Sequence, residues 1–283
     1  MRQKALYAYI IIVLLAEVPV VFLSPEAAGT YISVQIFAIG ILAMVFQKVF
    51  HLGMIAEMGF RVNRNMLVGL CIASLFVIAT VFTHGVLPYW LGWVEFVRNE
   101  GTTTHTAHIG PVAMVAILLV FGGAAFFVAN ILGEELAFRG YILPKLEGAY
   151  GRVSAVLVCS AVFGLWHLPD YFSFYSGGAD NWPSVMLQVL VHIISTMPLC
   201  VLYLTTRELY GVSLYHALLG VIQYCIVANP SMGEASKNAM YYMKELDGSG
   251  LDLIGWIWLV VSVPLMVIVC RWARTLTLKS ERV

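Results

Sequence analysis

Long apolar runs separated by short polar or basic patches divide this chain into eight segments, at about residues 5 to 23, 31 to 50, 66 to 83, 111 to 132, 153 to 169, 185 to 206, 209 to 228 and 253 to 271. A helix rises ~1.5 Å per residue and the hydrocarbon core of a bilayer is ~30 Å thick, so about 20 apolar residues cross it. Each run comes near that length. The pattern predicts an all-α, polytopic transmembrane helical bundle of about eight spans. Two longer polar connections, 84 to 110 and 229 to 252, read as loops. Pro19 and Pro198 fall inside apolar runs, where local kinks are expected because neighbouring helices can satisfy the freed backbone groups. No internal repeat of the kind that builds transporters is visible.

Composition agrees with this division. Apolar residues make up 60% of the 283 and charged residues 11%, against roughly 45–50% and about 25% in soluble domains. No second compositional zone interrupts the chain, so residues 1–283 read as a single integral membrane domain. The first run follows Arg2 and Lys4 in the manner of a signal peptide, but its length and the lack of a small-x-small cleavage site favour a retained first span.

The formal net charge is zero, which implies no general attraction to nucleic acid. The placement of the charges carries more than their sum. With the N-terminus inside, the inner segments hold Arg2, Lys4, Lys48, Arg61, Arg64, Arg139, Lys145, Arg152, Arg207, Arg271, Arg274, Lys279 and Arg282, and the outer ones only Arg98, Lys237 and Lys244. This positive-inside asymmetry predicts that both termini are cytoplasmic. The five cysteines, Cys71, Cys159, Cys200, Cys225 and Cys270, all sit in apolar runs and read as small buried hydrophobes. His105 and His108, in the first long loop, are too few to make a metal site.

A polar or ionisable group inside a membrane helix costs free energy, about 2.5–3.5 kcal/mol for a charge at the centre on insertion scales, so each one there is a candidate for function. They are few: Glu17 in the first span, Asn130 near the end of the fourth, His167 ending the fifth, His192 in the sixth, and His216 and Gln223 in the seventh. Glu17 is expected to face a polar cavity or an interhelical donor, and His192 to pack or hydrogen-bond. Glu134, Glu135 and Arg139 lie just past the fourth run, on its continuing helix. Residues four apart share a helix face, so Glu135 can pair with Arg139. Glu134 points about 100° away, beside Asn130 and Phe138, and is free for other work. One carboxylate held by arginine next to one left unpaired is how a site separates two similar acids. The charge pattern places His167 at the outer end of its span, far from Glu134, unless that span is bent or short; Gly164 and Pro169 offer places for a break.

Three motifs combine these residues. Glu134-Glu135-Leu136-Ala137-Phe138-Arg139-Gly140 is a Glu-Glu-x-x-x-Arg sequence, Phe163-Gly164-Leu165-Trp166-His167 is Phe-x-x-x-His, and His216 follows in a later helix. In this order they resemble the CPBP family, which includes the type II CAAX prenyl endopeptidases and the bacteriocin self-immunity proteins. The resemblance runs from about residue 115 to 228, so that a peptidase-like core spans about 111–228. It implies an intramembrane endopeptidase acting on a membrane-associated or lipidated peptide, with Glu134 activating water, Glu135 and Arg139 orienting it, and His167 and His216 holding the water or stabilising the oxyanion. Glu134, His167 and His216 with a water would suffice for catalytic zinc, and a carboxylate base without metal would suffice too. The family places Asn or Asp four residues after its last histidine, where this chain has Gly220; Gln223 or His192 are candidates to replace it. Gly220 is also the feature that favours the alternative reading, a catalytically silent membrane module binding a peptide or toxin. Zincin, serine-hydrolase and nucleotide-binding signatures are absent, and Asp247-Gly248-Ser249-Gly250 is not the motif of an intramembrane aspartyl protease.

Overall fold

The structure, a computed structural model, describes residues 2–51, 55–98, 111–174, 182–228, 239–245 and 251–280. His105 and His108 lie outside the described residues. In chain order the elements are α1 (Arg2–Glu17), α2 (Pro25–Phe50), α3 (Arg64–Val81), α4 (Leu87–Trp90), β1 (Val94–Arg98), α5 (Pro111–Ile117), α6 (Gly123–Leu132), α7 (Leu143–Tyr150), α8 (Arg152–Trp166), α9 (Leu168–Phe174), α10 (Trp182–Thr206), α11 (Tyr210–Val221), β2 (Val227–Ala228), β3 (Tyr241–Glu245) and α12 (Leu251–Ser280). Wider π-helical turns join several of them, at Phe82–Val86, Leu118–Gly122, Leu136–Ile142 and Ile222–Ile226.

Six of the described helices are long and apolar enough to cross a membrane: Gln3–Phe22, Glu26–Phe50, Arg64–Trp90, Val112–Tyr150, Arg152–Ser173 and Val185–Thr206. Two shorter apolar helices, Tyr210–Ile226 and Ile257–Trp272, stand where the seventh and eighth runs lie. The protein is thus an all-α polytopic bundle. Its outer surface keeps large apolar side chains such as Val34, Leu75, Ile78, Phe121, Val153 and Ile268 exposed, which in an integral membrane protein face lipid rather than water.

Local chemistry sets the helix ends. Ser24 accepts from Ala27 N at 3.4 Å, with Pro25 at the first helical position and Glu26 in the first turn of α2. Asn63 accepts from Asn65 N and Met66 N at the start of α3. Both satisfy backbone N–H groups that a helix start leaves unpaired. Pro19 ends α1, which tightens into a 3₁₀ turn over Val18–Phe22, whereas Pro198 sits within an unbroken α10.

In lipid, helices associate through close packing, so small residues at the crossings decide the spacing. Gly69 of α3 lies against Gly211 of α11, and Gly164 of α8 against Val189 and Ile193 of α10. Gly164 therefore packs two helices together rather than breaking one, and the break in the fifth span comes at His167, between α8 and α9. Tyr9 of α1 edges onto Tyr141 at 4.7 Å and donates to Ile39 O at 2.8 Å, tying the first two spans to the centre of the bundle.

Two features depart from the sequence expectations. The long connections contribute a small sheet: β1 pairs antiparallel with β3, which pairs parallel with β2. Short strands in polar connections leave too weak an alternation to be read from one sequence. The fourth span also does not stop at 132. It turns at Gly133, whose φ of −115° and ψ of −99° lie outside the helical region, and continues to Tyr150. Arg139 is consequently wholly buried and does not count among the loop charges.

Candidate active site

The continuation of the fourth span brings the site together. Glu147 bonds to Arg207 and Arg152 at one end of the bundle. Glu134 lies about 13 residues along the helix from Glu147, roughly 20 Å at ~1.5 Å per residue, and His167 about 15 residues from Arg152, at a similar height. The apparent conflict between a Glu134 at one face and a His167 at the other disappears once both helices are followed from the same turn.

Glu135 and Arg139 form the foundation. Both are fully buried, and Arg139 Nη1 donates to Glu135 Oε1 at 3.1 Å. The same oxygen lies 2.7 Å from His216 Nδ1, while Arg139 Nη2 donates to Thr196 Oγ1 of α10. This leaves His216 Nε2 directed to Glu134, whose Oε2 stands 3.8 Å away. Glu134 is 6% exposed, and among the described residues its Oε2 has no hydrogen-bond partner.

Phe163, the first residue of the Phe-x-x-x-His motif, explains why that motif needs an aromatic. Arg139 Cζ lies 4.5 Å from its ring centre, an arrangement in which a cation is attracted to the aromatic face. The rings of His167, His192 and His216 pack on its other sides at 4.9, 5.6 and 6.0 Å, and Phe138 meets it edge-on at 4.8 Å. Four residues along the same helix, His167 faces Asp170, with Nδ1 2.9 Å from Oδ2. Its Nε2 is buried without a partner among the described residues, within electrostatic reach of Glu134 and His216.

All five residues singled out from the sequence, Glu134, Glu135, Arg139, His167 and His216, thus belong to one neighbourhood. His192, expected from the sequence to pack or hydrogen-bond, joins them, and the structure adds three more. His192 touches His167, with ring centres 4.5 Å apart, and bonds through Nδ1 to the Tyr171 hydroxyl. Thr196, one turn later on the same face of α10, bonds Arg139; Asp170 and Tyr171 come from α9. The signal for His192 and Thr196 was their spacing of four, two polar groups on one stripe of an apolar helix.

Gln223 is exposed and supplies nothing to the site. The place where the family has Asn or Asp is filled from outside α11: a Cβ on Gly220 would meet the Phe126 ring at 2.9 and 3.0 Å. Restoring the polar residue is therefore not a repair. Gly220→Asn is expected to destabilise the protein by about 1–3 kcal/mol through overpacking, and adding Phe126→Ala is expected to recover most of that loss, as measured by thermal unfolding in detergent.

The donors do not converge on a metal. Among the described residues no group of three or more His, Cys, Asp or Glu side chains is arranged to hold an ion. His216 Nδ1 and His167 Nδ1 are each turned to a carboxylate, the orientation that leaves Nε2 free for a substrate, a water or an ion.

Residues 115–222 match the model of the family described as type II CAAX prenyl endopeptidase Rce1-like. No curated protein and no solved structure matches the chain. The matched stretch contains Glu134, Glu135, Arg139, His167, His192, Thr196 and His216, and excludes the first three spans and the last. Over that stretch the chain is similar to the Rce1-like family of CAAX-type intramembrane proteases, which agrees with the resemblance of its motifs to the CPBP group.

Proposed function

We propose that the protein is an intramembrane endopeptidase that hydrolyses a membrane-associated or lipidated peptide with a water activated by Glu134. The observation that carries this reading is the pair of connections made by His216. Its Nδ1 is fixed on Glu135 at 2.7 Å, and its Nε2 stands 3.8 Å from Glu134 Oε2. That gap is too long for a direct hydrogen bond and short enough for one water to touch both groups.

The chemistry follows from the arrangement. Glu134 takes a proton from the water as its oxygen attacks the peptide carbonyl, then returns it to the leaving nitrogen. With His216 protonated at both nitrogens, Arg139, His216, Glu134 and Glu135 sum to zero charge, the condition under which ionised groups persist in a dry interior. His216 is then the donor available to the tetrahedral oxyanion, and His167, with Nδ1 turned to Asp170, offers Nε2 to hold the water, both in place before the reaction begins. Phe163 supports both rings, and Glu135 fixes His216 while Arg139 and Thr196 fix Glu135. Arg61, Arg152 and Arg207 would lie on the cytoplasmic side, consistent with both termini there.

The test is cleavage of a peptide library by the wild-type protein in proteoliposomes, run in ¹⁸O water and with a chelator in parallel. Products whose new carboxyl group carries solvent ¹⁸O, formed equally with chelator present, are the expected result. Binding without cleavage by folded protein would point instead to the silent module.

A further inference from the structure

Glu17 lies in the first span, outside the family-matched stretch, and the chemistry above makes no use of it. It is 0% exposed, and neither of its carboxyl oxygens has a hydrogen-bond donor among the described residues. A lone carboxylate in that setting is costly enough to need an explanation.

The group it faces is Asp170. The 3₁₀ turn that follows Glu17 packs on α9, and Ser173 of α9 donates to Val20 O at 3.2 Å. This brings the two carboxyls within hydrogen-bonding reach of each other. Asp170 Oδ1 likewise has no donor among the described residues, while Oδ2 holds His167 Nδ1 at 2.9 Å. From α2, Gln35 approaches the Glu17 carboxyl and Tyr31 donates to Ala16 O at 2.6 Å; from α8 and the fourth span, His167 and Glu134 are the remaining ionisable groups near the pair. No Lys or Arg is among the groups named.

Two carboxyls placed together in a dry interior do not both ionise, because each raises the cost of charging the other. One proton between them resolves both the repulsion and the missing donor. We infer that Glu17 is a positioning residue of the proteolytic site: as a neutral carboxylic acid it donates to Asp170, which stays a carboxylate, accepts from His167 Nδ1 and so presents His167 Nε2 to Glu134 and the substrate. The arrangement is a chain of two carboxyls and one imidazole, in which the outer acid holds the inner one charged. A carboxylate behind an imidazole fixes which ring nitrogen carries the proton and stabilises the ring when it gains a second.

The inference rests on the peptidase reading, and its test separates the two. Glu17→Gln keeps a neutral donor at that position and Glu17→Leu removes it. With a peptide that wild type cleaves, Glu17→Gln is expected to stay within about 3-fold of wild-type kcat. Glu17→Leu is expected to lose on the order of 10–100-fold in kcat with KM unchanged, the range seen when a group orienting another is removed. In parallel, ¹⁵N spectra of histidine-labelled protein should show His167 protonated at Nδ1 in wild type and Glu17→Gln, and a mixture of tautomers in Glu17→Leu. The spectra need no turnover: if wild type cleaves nothing, the peptidase reading fails while the tautomer comparison still decides this one. Wild-type kcat together with an unchanged His167 spectrum in Glu17→Leu would overturn the inference. Should Glu17→Leu not fold, loss of kcat and of the Nδ1 proton in Glu17→Gln would overturn it equally.

Discussion

Glu134→Gln is expected to reduce kcat for peptide cleavage by about 10²–10⁴-fold, the usual contribution of a general base, with little change in thermal stability. The side chain is isosteric, and among the described residues Oε2 has no hydrogen-bond partner, with His216 Nε2 standing 3.8 Å away, so the amide breaks no direct hydrogen bond there. What it removes is the capacity to accept a proton. Cleavage by proteoliposomes, measured beside the melting temperature of each variant, separates this from a folding defect. A Glu134→Gln protein that still cleaves at wild-type rate would remove Glu134 from the chemistry and leave the site without its base.

Arg139→Leu is expected to have the largest effect on folding. Both members of the Glu135–Arg139 pair are completely buried. Deleting one leaves an uncompensated charge in the interior, which costs about 3–5 kcal/mol, whereas replacing both with apolar residues of similar size is often close to neutral. The double variant Glu135→Leu/Arg139→Leu should therefore be much more stable than Arg139→Leu alone, and still inactive, because His216 loses the oxygen that orients it. Unfolding of the purified protein in mixed micelles reads the first effect and proteoliposome cleavage the second. Equal destabilisation by the single and double changes would mean that the loss comes from packing around Phe163 and Thr196 rather than from the charge.

The contrast between Glu134 and Glu135 was legible in the sequence, because spacing on a helix decides which acid meets Arg139 and the structure retains that pairing. The apolar runs were equally legible, since lipid forces the backbone into helices and leaves hydrophobicity as the main variable. Less visible was everything that depends on where a helix bends. The fourth span was read to 132 because its apolar run stops there. In the structure Asn130, Glu134, Glu135 and Arg139 are buried against other spans, so their polarity does not mark the end of the helix. Asp170 and Tyr171 were hidden for a related reason: they lie in α9, beyond the interruption at His167 and past the last residue of the motif, and meet the site through His167 and His192. His192 could be named as an intramembrane polar group, but its place beside His167 depends on the close approach that Gly164 permits between α8 and α10.

The π-helical stretch from Leu136 to Ile142 has a consequence for how the site tolerates change in length. Such a stretch holds one residue more than an α-helix would need for the same advance, a local insertion absorbed without breaking the helix. It lies between Glu134 and Glu135 on one side and the end of α7, held by Glu147, on the other. Removing a single residue there would rewind the segment to α geometry and leave both glutamates near their present direction, whereas removing one from the regular turns of α7 would swing them by about 100° about the helix axis relative to Tyr150. The stretch is thus one residue of slack, and the direction in which Glu134 faces is more sensitive to chain length in α7 than in the wider turn beside it.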